Sequence, residues 1–258
     1  MAFALLFTGP AYAIVGGAAP ATDGVFRSVV TIVGSRGNSC SGTLIAPDLV
    51  LSVAHCVGPG ADYKIVEYGK DRQPQLRDVK RVAAHPGFDM KTMLAHRATA
   101  DVALLQLAAP KAGPSAIGVP SAPLAGNRFT IAGIGVTERG NGKSAGIVRA
   151  AELVATGHPG TLQIRLFDPA TNGVSAGLGA CTGDSGGPVF EQQQGKPVLI
   201  GVIDWSTGPN GSDGCGGLTG LVPLTLYRDW IVQTAKQWGS VLAAPDRKST
   251  RLNSSHRR

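Results

Sequence analysis

The chain has 258 residues, 43% of them hydrophobic and 16% charged, which suits one large or two small domains around a sizeable core. No apolar run approaches the length needed to cross a bilayer, so a helical membrane span is excluded. The formal net charge of +7 raises a nucleic-acid reading, but residues 246–258 carry five Lys/Arg against one acid, and without them the balance is only +3.

Residues 1–13, MAFALLFTGPAYA, combine a short apolar run, the breaker Gly9-Pro10 and the small-x-small ending Ala11-Tyr12-Ala13. This reads as the remnant of a secretory signal peptide that lacks its positively charged front region. Short runs rich in β-formers follow, at Ser28–Val33, Gly42–Ile45, Leu49–Val53, Lys64–Tyr68, Val79–Ala84 and Asp101–Leu107. The turn signals Gly37-Asn38 and Pro47-Asp48 separate the first three. A Pro/Gly/Ala/Ser-rich stretch, Ala108–Ala125, reads as an interdomain connection. Six more runs are predicted at Arg128–Ile134, Ile147–Ala155, Thr161–Leu166, Gly187–Phe190, Pro197–Trp205 and Gly217–Leu221. With 36 Gly and 17 Pro as punctuation, the pattern is that of an all-β protein.

One segment departs from it. Tyr227, Trp230, Ile231, Ala235 and Trp238 recur at helical spacing and predict a helix over 224–238 that lays one face on the body of the protein. Residues 243–258 hold too little apolar surface to offset ordering, and read as a disordered basic tail that resembles a vector-derived extension. Four cysteines, Cys40, Cys56, Cys181 and Cys215, have no C-x-x-C spacing that would suit a metal or redox site. They allow three pairings, of which the simplest joins Cys40 to Cys56 and Cys181 to Cys215. An even count fits an oxidising, extracellular or periplasmic compartment.

Four segments carry the chemistry. They are Ile14-Val15-Gly16-Gly17, Ser52-Val53-Ala54-His55-Cys56, Asp101-Val102-Ala103-Leu104-Leu105 and Gly183-Asp184-Ser185-Gly186-Gly187-Pro188. A serine hydroxyl needs an adjacent base to act as a nucleophile near neutral pH. Histidine titrates in that range, and a buried carboxylate can fix its tautomer. G-x-S-x-G alone also suits the nucleophile elbow of an α/β-hydrolase, but that fold needs Asp and then His after the serine, and the only such His is His256 in the tail.

In this order the four segments resemble the trypsin/chymotrypsin family of serine proteases, from Ile14 to about Trp238. The resemblance implies two packed six-stranded antiparallel Greek-key β-barrels, over 14–115 and 116–242, with a C-terminal α-helix. It implies a secreted, monomeric endopeptidase that takes polypeptide substrates and protein inhibitors and uses no cofactor, metal, nucleic acid or membrane. Ser185 is then the nucleophile, His55 the general base and acid, and Asp101 the orienting carboxylate. The backbone N–H groups of Gly183 and Ser185 form the oxyanion hole. In that family a free α-amino group on the Ile of the IVGG segment pairs with the Asp before the nucleophile, which implies the pair Ile14 and Asp184.

The primary pocket departs from the trypsin pattern. Gly179 stands where trypsin-like members carry Asp, so a preference for Arg or Lys is not supported. The wall reads Asp204-Trp205-Ser206 in place of Ser-Trp-Gly, which predicts a neutral pocket of small to medium size. Asp213 is a rival that could attract a basic group. Asp204 either shares the triad's surroundings, where two like charges raise one pKa, or faces solvent at the pocket rim. His85, His96 and His158 carry no reading beyond loop residues, and no calcium ligand pattern is legible around Glu67–Asp78. The alternative function is an inactive protease homologue serving as a binding module, for which Asp204 is the sole support. Because Ala13 precedes Ile14, signal peptidase alone is expected to generate the mature start; N-terminal sequencing of exported protein should read Ile-Val-Gly-Gly, and any other start sinks this reading.

Overall fold

A computed structural model of the chain describes residues 14–68, 73–111 and 126–243. The predicted leader (1–13), most of the interdomain connection and the basic tail from residue 244 lie outside these residues. All twelve predicted strands are present. The first six are β1 (Val29–Gly34), β2 (Ser39–Ala46), β3 (Leu49–Ser52), β4 (Tyr63–Tyr68), β5 (Pro74–Ala84) and β6 (Ala103–Leu107). They close in the order β1-β2-β3-β6-β5-β4. The second six are β7 (Arg128–Gly133), β8 (Arg149–Ala155), β9 (Ile164–Phe167), β10 (Pro188–Gln193), β11 (Lys196–Ser206) and β12 (Thr219–Pro223), closed in the ring β10-β11-β12-β9-β8-β7. Counted from its own first strand, each barrel has the same order, and every pairing is antiparallel. β1 against β4 and β7 against β10 close the rings. Closure leaves no free sheet edge.

Strand composition explains the interiors. Val30, Ile32, Leu44, Leu49, Leu51, Ile65 and Leu104 are buried within the first barrel, and Phe129, Ile131, Leu153, Ile164, Leu166 and Leu221 within the second. The first core also takes in Phe190, Leu199, Val202, Val222 and Leu224 from the second barrel, together with Ile231 and Ala235 of the C-terminal helix. One apolar seam therefore joins the two barrels. Phe190, 1% exposed, meets Phe26 edge-to-face at 6.1 Å on that seam. The disulfides are Cys40–Cys56, spanning 16 residues in the first barrel, and Cys181–Cys215, spanning 34 in the second.

The predicted C-terminal helix is shorter than its periodicity. A 3-10 turn, Thr225–Tyr227, precedes α2 (Arg228–Trp238), because Tyr227 carries no side-chain N-cap; Gly239 ends the helix at φ +76°. A buried polar knot fastens its end to the first barrel. Gln106 Nε2 donates to Trp238 O at 3.0 Å, Ser240 Oγ at 3.1 Å and Asp48 Oδ2 at 3.0 Å. A short helix, α1 (Met90–Leu94), was not visible in the sequence; Asp89 caps it by accepting from Thr92 N at 2.6 Å. Replacing Phe190 by Ala should lower unfolding free energy by about 3–5 kcal/mol in urea titrations. A loss below about 1 kcal/mol would show that the seam does not hold the barrels together.

Candidate active site

The site lies between the barrels, and its side chains come from both. A 3-10 turn, Ala54–Cys56, follows β3 and carries His55, while Asp101 sits two residues ahead of β6 rather than inside a strand. β3 pairs with β6, with Ser52 opposite Ala103, and this brings the two turns together. Asp101, fully buried, accepts from His55 Nδ1 at 2.6 Å through Oδ2 and from the His55 backbone N–H at 2.9 Å through Oδ1. That geometry fixes Nδ1 as the protonated nitrogen when the ring is neutral. Burial pushes the Asp101 carboxyl up, but the His55 hydrogen bond and charge hold it below its ordinary range.

Ser185 arrives on a tight loop between Cys181 and β10. Gly183 has φ +92°, open to glycine at little cost, and a Cβ there would meet Gly135 Cα at 3.0 Å. The first barrel grips this loop through Ser41, a residue that sequence reasoning missed. Ser41 N donates to Ser185 O at 2.9 Å, and Ser41 Oγ donates to Gly183 O at 2.8 Å while accepting from Ile134 N at 2.9 Å. Ser41 sits beside Cys40 in an ordinary strand segment, and nothing in its type or spacing marks it. Among the described residues the N–H groups of Gly183 and Ser185 donate to no acceptor, which leaves both for an incoming oxygen. The Ser185 hydroxyl donates to Asp204 O at 3.3 Å rather than to His55. Such hydrogen bonds tighten when substrate binds.

A cleft of about 350 Å³ opens beside these groups. Its lining includes His55, Gly183, Ser185, Asp204, Trp205 and Ser206. Gly179 is not brought to it: this residue is buried against Gly216 and bridges to Val15, whose N–H donates to Gly179 O at 3.0 Å. Ser206 Oγ reaches across to Gly214 O at 3.4 Å and narrows the space behind the cleft. Asp213 is tied to Arg139, whose Nη2 donates to both of its oxygens at 2.8 and 2.7 Å. His96 is more than a loop residue. It stacks on the Trp205 ring at 4.4 Å and lines the cleft with Met93 and Leu94. His85 packs edge-on against Tyr227 and Trp230 at 5.2 and 5.0 Å, and burial pushes its pKa down.

Ile14 is fully buried and Val15 bridges to Gly179, so the IVGG segment is tucked into the second barrel. Ile14 has φ +43°, a strained conformation for a β-branched residue that costs on the order of 1–3 kcal/mol. Asp184 is likewise fully buried. Its oxygens accept from Gly135 N at 2.8 Å and Cys181 N at 2.9 Å, with no cation beside them among the described residues. Burial therefore pushes its carboxyl up to about 7, against those two hydrogen bonds. Asp204 does not face solvent. It is 1% exposed, and one nitrogen or oxygen of each of His55, Asp101 and Asp204 lies within 4.8 Å of the others. Among the described residues no set of three His, Cys or acidic side chains converges away from this site, and the Cys40 and Cys56 beside His55 are joined to each other. In the first barrel, Glu67 is held by Arg77 at 2.7 Å and Lys111 at 2.8 Å.

Comparison with known proteins decides the family. The trypsin family model matches residues 14–231. The chain belongs to the trypsin family. It is 32% identical over 243 residues to serine protease 56 of Homo sapiens, covering 84% of this chain and 38% of that protein. It is 29% identical over 209 residues to a trypsin-like protease of Streptomyces glaucescens, covering 76% of this chain and 73% of that protein. A bovine homologue of suppressor of tumorigenicity 14 protein is 29% identical over 221 residues, 76% of this chain and 25% of that protein. The chain thus spans well under half of the length of the human and bovine relatives. His55 and Asp101 come from one barrel and Ser185 from the other.

The uncleaved chain should show the imprint of Asp184 in its stability. A carboxyl that binds its proton more tightly when folded stabilises the fold below pH 4, and that contribution is lost as pH rises towards 7. Thermal melts of a chain still carrying residues before Ile14 should therefore fall between pH 4 and 7, and Asp184→Asn should flatten the slope. Equal slopes in both proteins would refute the assignment.

Proposed function

We propose that the protein is a secreted serine endopeptidase that cleaves polypeptides through an acyl-enzyme. The observation that carries this reading is the short Asp101–His55 hydrogen bond together with the N–H groups of Gly183 and Ser185, which donate to no acceptor among the described residues. Ser185 Oγ attacks the scissile carbonyl carbon while His55 Nε2 takes the hydroxyl proton. Asp101 stabilises the resulting imidazolium, and the N–H groups of Gly183 and Ser185 donate to the oxyanion. Each such donor is typically worth 100- to 1000-fold in turnover. His55 then returns the proton to the leaving amine, the C–N bond breaks, and Ser185 is left acylated. Water, deprotonated by the same His55, hydrolyses the ester and restores the hydroxyl.

Activation follows from Ile14 and Asp184. Cleavage before Ile14 creates an ammonium group, relieves the constraint on its backbone and supplies the cation that buried Asp184 lacks. A buried carboxylate without a partner is costly by several kcal/mol, so the pair acts as a switch on the oxyanion loop. Two disulfides and the leader-like segment favour an extracellular or periplasmic site of action. The P1 residue is uncharged and small to medium. Ser206 closes towards Gly214, and Asp213 is engaged by Arg139. The rival reading, a binding module without catalysis, draws on Asp204 beside the triad and on the Ser185 hydroxyl being turned to Asp204 O.

A fluorophosphonate probe should label protein that begins at Ile14, and Ser185→Ala should abolish labelling and lower peptide hydrolysis by roughly 10⁴-fold or more. No labelling of correctly processed protein would favour the binding module. A peptide library should return uncharged P1 residues; strong cleavage after Arg or Lys would overturn the pocket reading.

A further inference from the structure

Asp204 lies at a break in the β11–β12 ladder. Ile203 pairs with Leu221 and Trp205 with Gly220, so Asp204 is the extra residue of a β-bulge. Bulges of this kind re-aim a side chain, often beside an active site. The Asp204 carboxyl is aimed inward, 1% exposed, and neither oxygen accepts a hydrogen bond among the described residues. Among the described residues, three titratable groups face it. They are His55 on its 3-10 turn, Asp101 ahead of β6, and Tyr227 on the turn before α2, whose hydroxyl donates to Thr99 O at 3.4 Å and is pushed up by burial and then by the charges of Asp101 and Asp204. No lysine or arginine ion pair reaches Asp204 among the described residues.

An ionised Asp204 would be a buried charge with no donor and a second anion beside it, which costs several kcal/mol. A protonated Asp204 has an O–H to donate, and the Asp101 carboxylate is there to accept it. We propose that Asp204 is a positioning residue that keeps its proton at neutral pH and shares it with Asp101, so that one negative charge, held from two sides, stands behind His55. This rests on the triad reading above. Burial, the Asp101 hydrogen bond and the Asp101 charge push Asp204 up to about 9, in keeping with the geometry. The hydrogen bond from Asp204 stabilises the Asp101 carboxylate and limits its rotation. Asp101 therefore stays the anion of the pair and keeps both contacts to His55. At alkaline pH the shared proton is lost and the two carboxylates repel.

The test compares wild type with Asp204→Asn, which keeps an N–H donor towards Asp101 but has no proton to lose. In pH profiles of kcat/KM, the acid limb reports His55 in the free enzyme. It should move by less than about 0.3 pH unit in Asp204→Asn if Asp204 is already neutral, and the alkaline fall near pH 9 should weaken, leaving that of the Ile14 ammonium. A drop of the acid limb by about one unit or more would mean that a charge had been removed, and overturns the proposal. An infrared difference spectrum needs no turnover. On the Ser185→Ala background at pH 7, a protonated-carboxyl band should be present and should vanish on adding Asp204→Asn; identical spectra overturn the shared proton. If Asn is not tolerated, Asp204→Ser is used in both arms with the same expectations. Failure of wild type to react with the fluorophosphonate would defeat the triad reading instead, and the infrared arm then decides the shared proton by itself.

Discussion

The contact between Ser41 and the Ser185 loop is the constraint on which the site depends. Two closed barrels have no reason of their own to hold a fixed separation, since each satisfies its strands internally. Here the first barrel reaches into the nucleophile loop of the second through Ser41, whose N–H holds Ser185 O and whose hydroxyl holds Gly183 O. Behind it, Ser52 Oγ donates to Ser41 O at 2.9 Å, and a Cβ on Gly186 would stand 2.1 Å from Ser52 Oγ. The nucleophile loop is thus clamped from the barrel that carries His55 and Asp101. The apolar seam around Phe190 keeps the clamp shut, because a side chain packed against both bodies resists their sliding.

Three carboxyls are buried around this clamp, and each meets the cost of burial differently. Asp101 faces the imidazole and stays ionised. Asp184 has two amide donors among the described residues, Gly135 and Cys181, and burial pushes its carboxyl up. Asp204 has neither donor nor cation, and a retained proton is its remaining way to lower the cost. Asp101 and Asp204 both written as anions would place two like charges side by side in a dry site, at a cost of several kcal/mol. Protonation state is therefore part of the architecture here, as much as packing is.

Much of this was legible in the residues. The strand runs stand out because alternation and turn residues are local signals, and twelve of them survive in the structure. The triad is legible because its residue types are chemically demanding and sit in short, distinctive segments. What escaped was set by long-range geometry. Ser41 and Ser185 are far apart in sequence, and no pattern around Ser41 marks its role. Five-residue α1 is too short to show a period and is defined by its Asp89 cap. The direction of Asp204 depends on a bulge, which shifts the register by one residue and leaves no mark in composition. His96 reads as a loop residue in the sequence, yet at φ +53° it stacks on Trp205.

That last contact bears on how rigid the cleft is before any substrate arrives. Trp205 is held on its face by His96, at 4.4 Å, and by the Arg165 guanidinium, at 5.6 Å. Gln163, with its amide oriented by its neighbours, accepts from Trp205 Nε1 at 3.0 Å and donates to His96 O at 3.2 Å. Arg165 Nη2 also donates to His96 O, at 3.2 Å. On the far side, a Cβ on Gly220 would lie 2.2 Å from the indole, so the sheet itself forms the floor. A wall fixed on every side has no ordering entropy left to lose when a peptide lies along it. The cleft is therefore preorganised along Trp205, and what has to move for chemistry is small: the Ser185 hydroxyl turning from Asp204 O towards His55.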